Sequence, residues 1–483
     1  MKICCPGYFD LIHPGHERFL ANLARDYENV SVVVLSGRSN RLGGLRLTPE
    51  QSRVAVEKAL LRFSNTSVCV VSPEDMLGWL QSQEDVCTLV VGDEVTLQGF
   101  GWLQAVEKLL ESRGGGVRIY RESSSGSPLL DHRKSFKVPK SYDAEAVYQE
   151  SLDGQGTTIS ALCEQIEATC RSSRILVIGD LIADEYIHCS VTGISAEAPI
   201  PVMTENDRSI FVGGAGVMAR HLSALGCDVT FASSFGLGSI SRAMDDQLEA
   251  DAIDRIHLSE AGAPLVKARY LAGSTKLFRV TRGDEFIPFE EGRFNRLLSR
   301  LSDYDLVFVA DFGSLFRNEK LISKLLQQCE IQNLPVVADV QARQSGTSVL
   351  NAPNSFAVMP TEKEARLATE LHEAGLEELG RHLMEKGMYD ALGLTLDQDG
   401  LVVFDRDQKA SVAYLPALNR DPIDVSGAGD CQLVYFAMSK FGGNSTIASA
   451  VIASIAAGVA VSNLGNQPVS LDEVRACWEE GVA

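Results

Sequence analysis

The chain has 483 residues, with 44 Lys and Arg against 64 Asp and Glu, which gives a formal net charge of −20. Apolar residues make up 45% and charged residues 22%, a balance typical of soluble globular proteins that excludes a largely disordered chain. The acidic excess argues against general nucleic-acid binding, which needs a basic surface. No run of about 18 apolar residues predicts a membrane-spanning helix, so no membrane partner is expected. The 11 cysteines contain no CxxC pair and predict a reduced, cytoplasmic protein.

The first part of the chain alternates strand-like and helix-like segments. Helical spacing over 16–25 and 49–61 predicts two helices, the second capped by Thr48 and Gln51. Short apolar runs predict buried strands at 2–5, 30–35, 68–71, 88–91 and 116–120. Such alternation predicts an α/β domain with a doubly wound parallel sheet over residues 1–120.

The composition changes after residue 120. Residues 121–141 contain six serines, two prolines and a cluster of basic residues, and they predict a linker. Residues 144–172 are expected to form one or two surface helices, so the linker with its helices covers 121–172. A second α/β domain is predicted over 173–483, with strands at 175–178, 305–310, 335–338 and 391–396 and helices at 213–225, 425–440 and 446–462.

The first chemical motif reads GYFDLIHPGH, from Gly7 to His16. It places a strand end, a turn and a helix start together, and a helix starting near Pro14 directs unsatisfied N–H groups at any nearby anion. His13 and His16 are three residues apart, so both can donate hydrogen bonds to a phosphoryl group. The alternative is that both histidines only cap the helix.

This segment resembles the nucleotidyltransferases that carry an HxGH signature, especially their cytidylyltransferase-like branch. The resemblance implies a Rossmann-like fold, catalytic roles for His13 and His16, and ATP or CTP as nucleotidyl donor. It assigns nucleotide contacts to Gly7, Phe9, Asp10, Gly15, Gly92 and Asp93. One departure concerns the loop after the second strand, where Arg41-Leu42-Gly43-Gly44 lacks the usual Lys. Arg41 or Arg46 could replace its charge.

The second motif reads DVSGAGD and ends at Asp430. Backbone N–H groups of Gly427, Ala428 and Gly429 at a helix start would form an anion-binding nest. Asp430 would then lie beside the anion and could accept the proton of an attacking hydroxyl. The alternative is a glycine-rich turn in which an Asp caps the helix.

The second domain resembles the ribokinase-like (PfkB) sugar kinases, and the matching runs follow the order of that family. The resemblance implies ATP as phosphoryl donor, Asp430 as catalytic base, and Glu364 as a residue that holds Mg²⁺ through water. It also implies nucleotide contacts by Thr395, Gly400 and the 427–429 nest. The sugar contacts it implies are Asp180, Asp184, Gly213 and Gly214.

Within that family the chain is most similar to the kinase half of the bifunctional heptose kinase/adenylyltransferases of ADP-heptose synthesis, through runs such as GISAEAPIPV and LPALNRDPIDVSGAGD. The likeness implies phosphorylation of a sugar or a sugar phosphate (similar to heptose 7-phosphate) at C1. Nucleotidyl transfer would follow, in a chain whose domain order is reversed. The partners expected are the sugar and nucleoside triphosphates, and a second copy of the chain is a candidate partner. The alternative function is an active kinase with a non-catalytic N-terminal module that binds nucleotide or dimerises.

Two lysines of the family pattern are absent from this chain, because Ser314 and Gln341 occupy their positions. Lysines near a sugar pocket usually contact a substrate phosphate, so their loss suggests a different or less phosphorylated sugar. Lys267, Arg279 and Arg282 could compensate. The alternative for these three residues is an ordinary surface salt bridge.

Overall fold

A computed structural model describes residues 2–7, 9, 14–36, 48–61, 63–72, 74–83, 85–92, 103–120, 144–273, 275–284, 286–342, 347–372, 374–406, 411–419 and 422–480. Within these residues the strands form three sheets of five, nine and four strands. No helix among them is long and apolar enough to cross a membrane. The predicted linker at 121–141 lies outside the described residues.

The N-terminal sheet is parallel and follows the order β3-β2-β1-β4-β5. Its strands are β1 (Lys2–Gly7), β2 (Asn29–Leu35), β3 (Thr66–Val71), β4 (Val86–Gly92) and β5 (Gly116–Tyr120). Its helices are α1 (Pro14–Asp26), α2 (Pro49–Leu60), α3 (Met76–Ser82) and α4 (Leu103–Ser112). The chain order reverses on either side of β1, so the crevice at the carboxyl ends of β1 and β4 is the ligand position typical of such sheets.

Local sequence explains these elements. The valine-rich centre of β2 is fully buried, as expected of a parallel strand covered on both faces. Helix α2 begins at the predicted capping box, in which Thr48 and Gln51 bond each other's backbone N–H groups. The predicted doubly wound parallel sheet is confirmed.

The two helices after residue 143 differ from the expectation that they lie on the surface. Helices α5 (Ala144–Gln155) and α6 (Ile159–Arg171) pack into the largest apolar core of the second domain. Leu162 and Ile166 of α6 are fully buried, and the Tyr148 hydroxyl of α5 donates to the Pro416 carbonyl at 2.9 Å. The physical reason is the apolar spacing of α6, whose buried residues fall on one helical face.

The second domain contains thirteen described strands, numbered β6 to β18. They are β6 (Arg174–Gly179), β7 (Leu181–Ile194), β8 (Pro201–Gly214), β9 (Asp228–Ser234), β10 (Asp254–Ser259), β11 (Leu265–Ala272), β12 (Thr275–Arg282), β13 (Leu306–Asp311), β14 (Val336–Val340), β15 (Ala357–Val358), β16 (Ala391–Thr395), β17 (Leu401–Asp405) and β18 (Ser411–Leu415). Its further helices are α7 (Ala215–Ala224), α8 (Ser239–Ala250), α9 (Glu291–Leu298), α10 (Glu319–Ile331), α11 (Glu362–Thr369), α12 (Leu376–Gly387), α13 (Ala428–Phe441), α14 (Thr446–Ala460) and α15 (Leu471–Glu479).

The large sheet follows the order β10-β9-β6-β13-β14-β15-β16-β17-β18. It is parallel from β10 to β16 and antiparallel over the last two pairings. Helix α14 is buried almost all round because its sequence, TIASAVIASIAAGVA, carries small or apolar residues on every face. The α/β class predicted for this domain is confirmed.

The remaining strands form the small sheet, which we define as β7, β8, β11 and β12, in the order β12-β11-β7-β8. Strand β7 starts at Leu181, two residues after β6 ends at Gly179. The small sheet therefore begins at the carboxyl edge of the large sheet. That edge is where the strand-end carboxylates of the large sheet collect.

Candidate active sites

The carboxyl edge of the large sheet carries a group of acidic residues. Asp180 follows β6, Asp311 ends β13, and Asp339 lies on β14 next to it. Asp430 joins them from the first turn of α13. Parallel strands bring residues that are far apart in sequence to one edge, which is why these carboxylates meet.

The loop after β13 is held by two of these carboxylates. Asp180 accepts hydrogen bonds from the Phe312 N–H at 2.8 Å and from the Ser314 hydroxyl at 2.5 Å. Asp311 accepts from the Gly313 N–H at 2.7 Å. Burial and the neighbouring charge of Asp180 raise the pKa of Asp311 to about 6. Both carboxylates therefore shape the loop that faces the ligand crevice.

A glycine pair connects the small sheet to this edge. Helix α7 starts directly after Gly214, whose φ of +61° is a left-handed conformation that suits glycine. A Cβ on Gly214 would lie 2.3 Å from the Asp180 carbonyl oxygen. A Cβ on Gly213 would lie 2.5 Å from the Asp184 carboxylate. The backbone can approach Asp180 and Asp184 this closely only without side chains.

Asp184 is held from two sides. It is buried, accepts a hydrogen bond from the Asn466 amide at 2.5 Å, and forms a close ion pair with Arg269 of β11. The Asn466 Oδ1 atom is buried and has no hydrogen-bond partner within the described part of the chain. The sequence reasoning missed Asn466. No spacing rule links a residue near the C-terminus to an Asp at the start of the domain.

The glycine motif lies at a helix start, as its sequence predicts. Gly427 has φ +78° and caps α13, which begins at Ala428. A Cβ on Gly427 would lie 2.8 Å from Asn466 Oδ1, whereas Gly429 faces open space. The first N–H groups of a helix have no partner inside it, so this start can bind an anion.

Asp430 lies one residue beyond the nest. Its Oδ1 atom is buried and has no hydrogen-bond partner among the described residues. Burial, followed by the charges of Asp339 and Asp184, raises its pKa well above the usual value, while Lys267 opposes the shift. A partly desolvated carboxylate with a raised pKa is suited to accept a proton.

Glu364 lies in the first turn of α11 and faces Asp339. Its carboxylate accepts hydrogen bonds from the Thr361 N–H at 3.0 Å and from the Thr361 hydroxyl at 2.9 Å. Thr361 caps the helix. Burial, followed by the charges of Glu364 and Asp311, raises the pKa of Asp339 to about 7.

Asp424, the first residue of the motif, joins the small sheet to the nest. It accepts hydrogen bonds from the Tyr186 hydroxyl of β7 at 2.6 Å and from Lys276 of β12 at 2.5 Å. Burial alone would raise the pKa of Asp424, but the bonds from Lys276 and Tyr186 lower it to about 2. The ionised carboxylate of Asp424 therefore connects β7 and β12 to the loop that precedes α13.

A cavity of about 410 Å³ lies between the small sheet and the edge of the large sheet. Asp180 lines it, together with Lys267 and Arg279 of the small sheet and Ser314 and Gln341 of the large-sheet loops. Arg282 lies elsewhere, in an ion pair with buried Glu185 at 2.6 Å. Arg282 therefore forms a salt bridge, but its partner is buried and not on the surface.

The two remaining kinase-domain residues of the prediction lie at one end of β16. The Thr395 hydroxyl is 3.4 Å from the Pro360 carbonyl oxygen, beside the start of α11. Gly400 has φ +104°, and a Cβ there would lie 2.1 Å from the Leu415 carbonyl oxygen. Gly400 therefore lets the turn into β17 pass close to β18.

In the N-terminal domain, the described motif residues converge at the carboxyl end of β1. Gly7 ends β1, and a Cβ there would lie 2.7 Å from the Phe9 ring. Phe9, with φ 46°, packs edge-on against His16 of α1 with ring centroids 5.9 Å apart. Gly15 lies in α1, and Gly92 ends the adjacent strand β4. Asp10, His13 and Asp93 fall outside the described residues, as do Arg41 and Arg46.

Comparison with known proteins identifies the family. The pfkB family carbohydrate kinase model matches residues 172–473, more than half of the chain, and the cytidylyltransferase-like model matches residues 4–148. The chain belongs to the pfkB family of carbohydrate kinases. Both predicted resemblances, and the predicted fold classes, are confirmed.

The chain is also similar to individual relatives. It is 30% identical over 319 residues to "Bifunctional protein HldE" of Geobacter sulfurreducens, covering 64% of this chain and 64% of the relative. It is 30% identical over 336 residues to the protein of the same name from Rhodospirillum rubrum, covering 66% of this chain and 65% of the relative. Less than two thirds of each relative is thus matched. The fold of phosphofructokinase-2 from Escherichia coli matches with a TM-score of 0.53 at 14% identity, over 64% of this chain and 99% of that one.

Proposed function

We propose that the chain is a bifunctional carbohydrate-activating enzyme. Its second domain phosphorylates a sugar or a sugar phosphate, similar to heptose 7-phosphate, at C1 with ATP. Its first domain couples that phosphate to a nucleotide and yields a nucleotide-sugar. The observation that carries the kinase proposal is the buried Asp430 Oδ1, which has no hydrogen-bond partner in the described part of the chain and lies beside the helix start at 427–429.

In the kinase step, the N–H groups at 427–429 bind the ATP phosphates, and Asp430 takes the proton of the attacking hydroxyl. The hydroxyl oxygen forms a bond to the γ-phosphorus, the bond from that phosphorus to the β,γ-bridging oxygen breaks, and ADP leaves. Exposed Ile423 and Val425 precede the nest and offer apolar surface to a nucleotide base. We propose that Thr395 and Gly400 also contact the nucleotide.

In this proposal, Asp184 and the backbone at Gly213 and Gly214 bind the sugar. Asp180 holds the loop after β13 by accepting its hydrogen bonds. Asn466 already donates to Asp184, so the carboxylate keeps a fixed orientation. A fixed carboxylate can accept hydrogen bonds from sugar hydroxyls without first being ordered.

The acidic residues fit a divalent cation. Asp339 and Glu364 face each other, and their repulsion contributes to the raised pKa of Asp339, so a positive ion there would relieve an unfavourable field. No three His, Cys, Asp or Glu side chains of the described residues are close enough together to hold a metal alone. We propose that Mg²⁺ is bound through water and ATP, with Glu364 as its protein contact. When bound, Mg²⁺ would neutralise charge on the transferred phosphoryl group.

In the nucleotidyl step, we propose that His13 and His16 donate hydrogen bonds to the phosphates of ATP or CTP at the start of α1. Gly7, Phe9, Asp10, Gly15, Gly92 and Asp93 would surround the nucleotide. The sugar 1-phosphate oxygen would attack the α-phosphorus and release pyrophosphate. The strand reversal between β1 and β4 supports this location.

A second candidate function keeps only the kinase active, with the N-terminal domain as a nucleotide-binding or dimerising module. The absence of the usual Lys from the 41–44 loop favours it. An experiment that supplies the kinase product with ATP, CTP, GTP or UTP and measures pyrophosphate distinguishes the two candidate functions. Pyrophosphate release supports the bifunctional enzyme, and its absence beside a normal kinase supports the module.

The proposal extends to assembly and location. Phe278 is 47% exposed and Val280 is 42% exposed on β12, a surface that a second copy of the chain could cover. Sedimentation of the full chain and of Phe278→Asp tests a homodimer.

The ten cysteines whose side chains are described form no disulfide, which supports a cytoplasmic location.

A further inference from the structure

The small sheet carries several cations, and most of them are paired. Arg269 binds Asp184, Lys276 binds Asp424, and Arg282 and Arg208 both bind buried Glu185. Lys267 and Arg279 form no salt bridge with any residue in the described ranges. Both of them line the cavity between the small sheet and the large sheet.

Strand register explains why these two cations face the same way. Lys267 of β11 is directly opposite Thr281 of β12, so the two side chains share a face. Arg279 is two residues from Thr281 and lies on that face as well. Arg282 is one residue further on and therefore points to the opposite face, where it meets Glu185.

Lys267 is partly buried, which makes its unpaired state costly. Desolvation lowers the pKa of its ammonium, and Arg279 and Arg269 lower it further, while Asp184 and Asp430 oppose the shift. The ammonium lies 5.9 Å from the centre of the Phe312 ring, a weak compensation for lost water. An anion in the cavity would stabilise the charged form.

Among the described residues that line the opposite wall of the cavity, none is a cation. Ser314 and Gln341 line that wall at the two positions where the family pattern has lysines. Asp284 also lines the cavity, but its carboxylate already accepts the Ala263 N–H at 2.7 Å. Within the described part of the lining, the positive charge thus comes from the small sheet.

We propose that Lys267 and Arg279 bind an anionic group of the acceptor sugar and so select a phosphorylated sugar over the neutral one. This inference rests on the proposed kinase function and names the determinants of its acceptor class. The loss of the two loop lysines then moves the anion contact to the small sheet rather than removing it. The guanidinium of Arg279 can bind two phosphate oxygens at once, and Lys267 adds a point charge.

The test uses the full chain and the variants Lys267→Gln and Arg279→Gln. Lys320→Gln is the matched control, because it removes one positive charge from an exposed position on α10. The first measurement is calorimetric titration with inorganic phosphate, without ATP. The second compares kcat and KM for a hexose, its 6-phosphate and a heptose 7-phosphate.

We expect each cavity variant to weaken phosphate binding and to raise the KM of an accepted sugar phosphate by roughly 10-fold to 100-fold. The kcat of that sugar phosphate should change much less, and Arg279→Gln should leave the neutral sugar unaffected. Lys320→Gln should match the wild type. An Arg279→Lys variant should recover part of the binding, which a merely structural role would not predict.

The outcomes distinguish this inference from the kinase proposal. If the wild type transfers phosphate but uses neutral and phosphorylated sugars equally, or if the variants keep its preference, the anion site is refuted and the kinase stands. If the wild type phosphorylates no sugar yet binds inorganic phosphate through Lys267 and Arg279, the kinase proposal fails and the anion site remains. Absence of both activity and phosphate binding refutes both.

Discussion

Replacement of Asp430 by Asn removes a proton acceptor and leaves the anion nest intact. The two side chains have nearly the same size, and the nest consists of backbone N–H groups that the change does not alter. Loss of a general base typically costs about 10²–10⁴-fold in rate, or roughly 3–5.5 kcal/mol of transition-state stabilisation. We therefore expect phosphoryl transfer to fall by that factor while ATP binds within a few-fold of the wild type.

The structure also predicts the effect of this change on stability. Asp430 is held near Asp339 and Asp184, and its raised pKa shows that its charge is disfavoured in the fold. Asparagine removes the repulsion, so thermal stability should be unchanged or higher. An inactive but stable protein would separate a chemical role from a structural one.

The assay measures ADP release at saturating acceptor, with ATP affinity measured separately by equilibrium binding. Gly427→Ala is the complementary control, because φ +78° disfavours Ala and its Cβ would lie 2.8 Å from Asn466 Oδ1. A cost of about 1–2 kcal/mol predicts ATP binding weakened about 5–30-fold. Turnover of Asp430→Asn within a few-fold of the wild type would refute the reasoning.

Three further predictions concern the metal, pH and the first domain. Glu364→Gln should raise the Mg²⁺ concentration needed for half-maximal turnover while keeping the helix cap, because Gln also caps at this position. Asp339→Asn should raise the melting temperature more at pH 8 than at pH 5. The pKa of Asp339 is about 7 in the folded protein, above its usual 3.8, so ionisation of this carboxyl lowers the free energy of unfolding. This destabilisation is absent below about pH 4 and complete above about pH 7, and it amounts to about 1.4 kcal/mol for each pKa unit of the shift. His16→Ala should stop pyrophosphate release and leave the kinase unchanged, because the two domains have separate cores.

Each of these predictions has a contradicting result. Glu378→Gln, in the first turn of α12, is the control variant for the Mg²⁺ experiment. If Glu364→Gln and this control need the same Mg²⁺ concentration for half-maximal turnover, Glu364 lies outside the metal site. An Asp339→Asn variant whose melting temperature differs from the wild type equally at both pH values would mean that the charge is not disfavoured. Normal pyrophosphate release from His16→Ala would remove that histidine from the reaction.

The sequence predicted the parts of the molecule that depend on local pattern. Gly427 and Asp430 could be placed because a glycine run before an apolar helix specifies a helix start, and the structure has α13 beginning at Ala428. Thr48 and Gln51 could be placed because a capping box is contained in four residues.

Long-range contacts could not be predicted. Asn466 meets Asp184 across 282 positions of the chain. Lys267 and Arg279 share a face only through the register of β11 and β12, and the Gly-Ser pair between those strands, a hairpin signal, was not used to predict it. The burial of α5 and α6 was missed because their apolar residues gave no sign of what they would pack against.

The most direct test of the central claim is the identity of the phosphorylated product. The full chain is incubated with ATP, Mg²⁺ and a panel of aldoses and their phosphates, and the products are followed by ³¹P NMR. The account predicts ADP and a new phosphate ester coupled to the anomeric proton, formed by the wild type and about 10²–10⁴-fold more slowly by Asp430→Asn. A chain that binds ATP but forms no anomeric phosphate from any member of the panel, or that forms it equally fast with Asn at 430, would contradict the account.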